Sequence, residues 1–384
     1  MNSSPQIGVL ESSTSGAATV APGVDPRLAF ELRRWRAAEP GQGCDGYTLA
    51  WLVACHVRAT GRDHLDEPLV AALAEINRRH RGHDHFLDAY LDCVLARQHG
   101  VLDSRGYLAS PLLELIMADR RSGITPERLT VLLVADVIRY EAQPESVAAL
   151  DAYTRENREL HAARFIAEAE PALGSGAPTP PGTAAGEWMA LTVLPVSPAH
   201  DEYVLIRSLQ AQELLFALLT DMITSAAASA RAGDLLGAAA EVRRAHTVFQ
   251  RAGTLVQLVS TMRGTDVETL SSHVEGTTAL RSEACRRFER ACRAPSDGAA
   301  PADDGDLAGA VAARRGAVTS PELAELMDAM AALEAAFQAW KSLHHGPAAA
   351  IVGAASDVAA VLHVQRCMDD RLFGSDAVRE VFGG

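Results

Sequence analysis

Histidine and cysteine side chains occur together near the C-terminus of this 384-residue chain. The stretch LHVQRC places His363 and Cys367 four residues apart. On a helix both side chains project from one face, about 6 Å apart along the axis. An imidazole placed in this way can bind a heme iron while the thiol reaches a vinyl group at the ring edge. The alternative is a core helix with an unreactive cysteine, because the usual covalent heme motif is Cys-x-x-Cys-His.

A second candidate ligand lies earlier in the same region, in the stretch FQAWKSLHH. His344 follows Trp340 by four residues and Phe337 by seven, so a helix would place all three on one face. A histidine flanked by aromatic side chains is more often a hydrogen-bonded core residue than a ligand. The spacing alone therefore leaves both interpretations open.

A third group of histidines lies in the stretch HRGHDHFLD, which contains His80, His83, His85 and Asp88. Side chains of these types bind zinc or iron. Their spacing suits no single helix face, and His85 begins the next predicted helix. A solvated turn is therefore the preferred interpretation.

The elements that must position these side chains are predicted to be helices. Alanine is abundant and aromatic residues make up only 5% of the chain, which favours helices over strands. LVAALAEINRRH and FLDAYLDCVLARQHG carry apolar residues at helical spacing. ITPERLTVLLVADVIRYEAQ begins with Thr125 as a cap and Pro126 at the first helical position. The predicted fold class is all-α.

Composition also divides the chain into predicted segments. Residues 1–26 are rich in Ser, Gly and Pro and are predicted to be a disordered leader. Residues 27–170 form a helical N-terminal domain of unknown role. Residues 171–186, PALGSGAPTPPGTAAG, form a linker. Residues 187–384 form a second helical domain.

Charge and cysteine usage limit the partners and the location. The formal net charge of −14 disfavours nucleic acid as a partner, because an acidic surface repels phosphate. Without a run of about 18 apolar residues, no membrane span is expected. The N-terminus has no basic segment followed by an apolar one, so no signal peptide is expected. Six scattered cysteines indicate reduced thiols and a cytoplasmic protein.

Several stretches of the second domain resemble the tryptophan 2,3-dioxygenase family. HDEYVLIRSLQAQELLFALLTDMI resembles the family's H-D-E element and the H-Q-x-x-E-L-W element that follows it, with Gln210, Glu213 and Leu214 in matching positions. AEVRRAHTVFQRAGTLVQLVSTM resembles the next helix of the family. Asp266 matches an aspartate that follows shortly after that helix.

The C-terminal stretches extend the resemblance to the end of the chain. FQAWKSLHHGPAAAIVG is similar to the family's W-R-x-x-H element and its following glycine, here Gly353. The resemblance implies that His344 is the proximal ligand of a heme, with Trp340 and Arg366 at the cofactor. It also implies the family's helical bundle and a homo-oligomer.

Three departures indicate that this chain does not cleave tryptophan. Leu209 occupies the position of the family's distal histidine. The arginine that binds the substrate carboxylate falls near Ser271 or Ser272, and AASDVAAV replaces the Gly/Thr-rich loop. A carboxylate site loses much of its affinity without its guanidinium group.

These departures, together with His-x-x-x-Cys, resemble the histidine-ligated heme-dependent aromatic oxygenases, above all the 3-methyl-L-tyrosine hydroxylases of saframycin-type antibiotic biosynthesis. The resemblance implies that His344 and His363 bind iron and that Cys367 forms one thioether with the heme. It implies a monooxygenase that inserts one oxygen atom into the ring of a tyrosine derivative. The oxidant would be O₂ or hydrogen peroxide, with a reductant. His273 and Arg281 are the candidates to orient the substrate.

Three other readings of the chain remain open. The first is an indole or tryptophan oxygenase of the same superfamily. The second is a bis-histidine heme protein that carries electrons or senses a gas. The third is a helical interaction protein without heme. An optical spectrum separates the third reading from the rest, and turnover of a tyrosine derivative identifies the oxygenase.

Overall fold

The computed structural model describes residues 24–41, 45–96, 104–119, 123–173, 184–273, 282–293, 306–315, 320–354 and 371–373. All regular elements in these ranges are helices. The predicted all-α fold class is confirmed for this part of the chain.

The first nine α-helices precede residue 174 and are mostly short. They are α1 (Pro26–Ala37), α2 (Gly46–Thr60), α3 (Glu67–His80), α4 (His85–Leu95), α5 (Ser104–Tyr107), α6 (Ser110–Ala118), α7 (Pro126–Glu141), α8 (Pro144–Ala149) and α9 (Ala152–Leu173). Helix α7 begins where the sequence predicts, because the hydroxyl of Thr125 accepts a hydrogen bond from the Arg128 N–H at 3.2 Å.

The remaining helices are α10 (Ala184–Ala190), α11 (Asp201–Ala232), α12 (Leu235–Val259), α13 (Gly264–His273), α14 (Glu283–Cys292), α15 (Leu307–Arg315) and α16 (Pro321–Ala354). They include the three longest of the described helices, α11, α12 and α16, which form the centre of the molecule. Helix α12 packs against both α11 and α16. Helix α16 carries Trp340 and His344.

The two predicted domains share one hydrophobic core. Helices α7 and α9 pack against α11 and α12, and Phe165 belongs to the same buried cluster as Trp188, Leu214 and Leu255. The predicted linker is helical at both ends, because α9 reaches Leu173 and α10 begins at Ala184. Residues 174–183 lie outside the described part of the chain.

A second buried core contains a set of five aromatic side chains, here called the aromatic cluster. Its members come from α11, α12, α14 and α16 and are Phe216, Phe249, Phe288, Phe337 and Trp340. Their ring centroids lie 5.4 to 6.2 Å apart, within the range of favourable aromatic packing. The cluster fixes the position of the middle of α16.

One helix of the described chain, α11, is long and apolar enough to cross a membrane by length and composition. Half of its most apolar 18-residue window is buried inside the molecule. The buried core helix of a folded domain meets the same criteria. The absence of a membrane span stays a prediction.

Candidate functional site

His344 lies on α16 next to the aromatic cluster. Its imidazole stacks on the Trp340 indole, with ring centroids 4.9 Å apart and ring planes 21° apart. Phe337 also stacks on Trp340, with ring centroids 5.8 Å apart. The predicted shared helix face of Phe337, Trp340 and His344 is therefore confirmed.

The half-buried position of His344 changes its protonation. Burial, with a smaller contribution from the charge of the neighbouring His345, lowers the pKa of His344 to about 4. At neutral pH the imidazole is uncharged and keeps a nitrogen lone pair. That is the form in which histidine binds a metal.

We predict that the His344 imidazole in the heme-free chain stays uncharged down to about pH 4, and that His345→Ala raises its pKa. Because the unfolded chain takes up this proton at about pH 6.5, stability falls as pH is lowered from that value towards the folded pKa. Histidine NMR titration, with His344→Ala to assign the signal, measures both effects. A His344 signal that titrates near pH 6.5 would contradict the prediction.

Trp340 adds an unsatisfied polar atom to this face. The indole is buried, and its Nε1–H has no hydrogen-bond partner among the described residues. Histidine-ligated heme proteins hold the iron through one neutral imidazole nitrogen, and uncharged His344 provides a ligand of that kind. The described residues therefore fit a heme held through His344, with Trp340 beside it.

The other predicted site residues cannot be compared with this geometry. His363, Arg366 and Cys367 lie in 355–370, and Arg281 in 274–281, both outside the described residues. His273 ends α13, which packs against α16, but its side chain is not described. The backbone thus places α13, the helix that ends at His273, against the helix of His344.

No group of three or more His, Cys, Asp or Glu side chains in the described ranges is arranged to hold a metal ion. In the stretch around His80, the Nε2 of that residue is hydrogen-bonded to the Trp35 carbonyl at 2.9 Å and its ring is buried. His83 is exposed on the turn before α4, and His85 is exposed at the first residue of that helix. Cys55, Cys93, Cys285 and Cys292 form no disulfide bond among the described residues.

The H-D-E element forms a buried polar network with residues of α7, α9 and the segment after α12. His200 contacts Glu141 through Nε2 at 3.2 Å and the Tyr140 hydroxyl through Nδ1 at 3.1 Å. Asp201 forms an ion pair with Arg158 at 2.7 Å and accepts the Arg263 N–H at 2.6 Å. These contacts join α7 and α9 to the start of α11.

Glu202, the last residue of the element, has four hydrogen-bond donors around it. The carboxylate accepts from the Val196 N–H at 2.7 Å, from the Ser197 N–H and hydroxyl at 2.9 and 2.7 Å, and from the Tyr107 hydroxyl at 3.1 Å. Burial nevertheless raises its pKa. The residue anchors the loop before α11 and has no access to a substrate.

The Q-x-x-E-L element also has a structural role. Gln210 donates to the carbonyls of Leu108 and Thr192, both at 2.9 Å. Burial raises the pKa of Glu213, whose carboxylate accepts the Ala284 N–H at 3.3 Å where α14 begins. Leu209, in the position of the family's distal histidine, packs against a small apolar cluster that includes Ile206.

A groove that the sequence does not indicate runs between α9, α12 and α16, with a volume of about 900 Å³. Alanines of α16 form one wall, and Phe249, Trp340 and Leu343 form an apolar end. Arg251 and Gln257 also line it. In the sequence, Arg251 and Gln257 are distinguished only as polar residues among the apolar residues of α12.

Comparison of the chain with protein-family models, with curated proteins and with solved structures found no match.

Proposed function

We propose that the chain is a heme-dependent aromatic oxygenase, built on a helical bundle of the tryptophan 2,3-dioxygenase type. The observation that carries the proposal is His344, an imidazole kept uncharged by burial and stacked on Trp340 beside the aromatic cluster. The order Trp-x-x-x-His and the downstream Gly353 support the same assignment from the sequence. The bound heme would supply the activation of O₂ or peroxide that places one oxygen atom on an aromatic ring.

The residues of the chain have separate roles in this proposal. His344 binds the iron, and Trp340 fixes the plane of the imidazole by stacking. The aromatic cluster behind them excludes water, which strengthens polar interactions at the site. His363 is the second iron ligand and Arg366 a cofactor contact, while His273 and Arg281 orient the phenol or the carboxylate of the substrate.

We expect the purified, heme-loaded chain to add one oxygen atom to the ring of 3-methyl-L-tyrosine and to leave L-tryptophan uncleaved. The reason is that Leu209 and Ser271 or Ser272 stand where tryptophan cleavage requires a histidine and an arginine. Product mass spectrometry with hydrogen peroxide, and separately with O₂ and a reductant, measures both reactions. Formation of N-formylkynurenine at a rate comparable with tyrosine hydroxylation would overturn the substrate assignment.

We also expect one covalent bond between Cys367 and the heme. The nearest other cysteine in the chain is Cys292, so the region offers no second thiol. Acid–acetone extraction should leave heme on the wild-type chain and remove it from Cys367→Ser, and the denatured mass should show one heme. Complete extraction of heme from the wild-type chain would exclude the thioether.

A further inference from the structure

Two tyrosine side chains, one from α7 and one from α11, form a stacked pair. The rings of Tyr140 and Tyr203 lie with their centroids 3.8 Å apart and their planes 5° apart. The His200 ring packs against Tyr140 as well, with ring centroids 4.8 Å apart. Burial raises the pKa of both phenols, so both hydroxyl groups keep their protons at neutral pH.

The Tyr140 hydroxyl has an internal proton acceptor. His200 Nε2 lies 3.2 Å from a carboxylate oxygen of Glu141, and His200 Nδ1 lies 3.1 Å from the Tyr140 hydroxyl. An ionised carboxylate only accepts hydrogen bonds, so Nε2 of the uncharged imidazole carries the hydrogen and Nδ1 accepts from Tyr140. Phenol, imidazole and carboxylate thus form a chain that can take the proton from Tyr140.

The Tyr203 hydroxyl donates to a weaker base. It contacts Asp136 at 2.7 Å, and the Nε–H of Arg207 donates to the same carboxylate oxygen at 2.6 Å. Burial acts to raise the pKa of Asp136, but the charges of Arg207 and Arg139 outweigh it and the pKa is lowered overall. A carboxylate held in this way takes up a proton less readily than an imidazole does. Tyr140 is therefore the phenol of the pair that loses its proton more easily.

We propose that Tyr140 is a redox-active residue that yields one electron to a high-potential oxidant of the transition-metal class. The electron passes from the Tyr140 ring to the oxidant, and the hydroxyl proton moves to Nδ1 of His200. The products are a neutral tyrosyl radical, an imidazolium group paired with Glu141, and the oxidant reduced by one electron. The proposal goes beyond the proposed heme chemistry and does not depend on it.

The surroundings of Tyr140 allow oxidation and then protect the radical. Tyr140 is half-buried and 14% of the His200 side chain is exposed, so an oxidant at the surface can approach the ring. The proton stays on His200 and can return to the same oxygen when the radical is reduced. Tyr153, in contrast, is 76% exposed, and its hydroxyl proton would be lost to water.

The test is photo-oxidation of the heme-free full chain with a ruthenium polypyridyl complex and persulfate, followed by freeze-quench EPR. Ring-deuterated tyrosine in the growth medium separates tyrosyl signals from tryptophan signals. We expect one persistent tyrosyl signal, which Tyr140→Phe removes. The matched control is Tyr153→Phe, which should keep the signal although that phenol is far more exposed.

His200→Phe tests the proton acceptor. A positioned base contributes about 10²–10⁴-fold to a proton transfer, so radical formation after a laser flash should slow by at least about tenfold. Tyr203→Phe keeps the stacked ring and should keep both the signal and its rate of formation. If His200→Phe does not fold, Tyr140→Phe and Tyr203→Phe still decide which phenol is oxidised.

The proposal is overturned if no persistent tyrosyl signal forms, or if Tyr140→Phe keeps the wild-type signal. It is also overturned if a folded His200→Phe chain forms the radical at the wild-type rate, or if Tyr203→Phe removes the signal. The result is separable from the heme assignment. A chain that forms this radical but binds no heme retains the redox site and loses the proposed function, and the converse result retains only the proposed function.

Discussion

His344→Ala is expected to remove most of the heme from the protein. Loss of a residue that only supports a metal ligand already costs about 10–100-fold in affinity, so loss of the ligand should cost at least that much. Because a thioether would retain heme without the iron bond, the affinity is best measured in a Cys367→Ser background. The readouts are the Soret absorbance and heme affinity of each purified variant.

His345→Ala is the matched control for this experiment. His345 is adjacent in sequence, but the indole of Trp340 stacks on His344. We expect the His345 variant to keep its heme. Equal heme affinity with and without His344 in the Cys367→Ser background would contradict the assignment of this residue as a ligand.

Arg158→Met is expected to destabilise the fold by about 3–5 kcal/mol, because it removes the guanidinium group that two buried carboxylates share. Arg158 forms ion pairs of 2.7 Å with Glu141 and with Asp201, and all three side chains are fully buried. Chemical denaturation at neutral pH measures the loss of unfolding free energy. The matched control is Arg243→Ala, whose pair with Glu325 is exposed and should contribute about 1 kcal/mol or less.

The cost of Arg158→Met should decrease as the pH is lowered. Burial acts to raise the pKa of Glu141, but hydrogen bonds from His200 and Arg158 outweigh it and the pKa is lowered overall. Without Arg158, burial favours the protonated form of Glu141, which is neutral and needs no cation beside it. At acidic pH the variant therefore loses less stability relative to the wild type. A loss of stability similar to that of Arg243→Ala would show that the network is not stabilising.

The helical fold follows from local properties that a sequence contains. The alanine content favours helices, Thr125 and Pro126 define the start of α7, and the four-residue spacing of Trp340 and His344 places them on one face. Such features depend on residues within a few turns of one another. They can therefore be predicted without knowledge of the tertiary structure.

The roles of the H-D-E residues could not be predicted in the same way. His200 contacts Glu141, 59 residues earlier, and Asp201 contacts Arg158 of another helix. Sequence resemblance assigns these residues to a catalytic bundle, whereas the structure shows them joining α7 and α9 to α11. Partners so distant along the chain become neighbours only through packing of the helices.

The groove escapes sequence analysis for a related reason. Arg251 and Gln257 belong to α12, while the apolar wall opposite them belongs to α16. Each residue alone resembles a polar position on an exposed helix face. The burial of Arg251 and the partial burial of Gln257 depend on how α9 and α16 pack against α12.

The most direct test of the account is the visible spectrum of the full chain, purified from cells supplied with heme, together with its heme-to-chain ratio. The account predicts a red protein with a Soret band and one heme per chain, because His344 presents an uncharged nitrogen beside the aromatic cluster. A folded, helical protein without a Soret band, which binds no heme on titration, would contradict it.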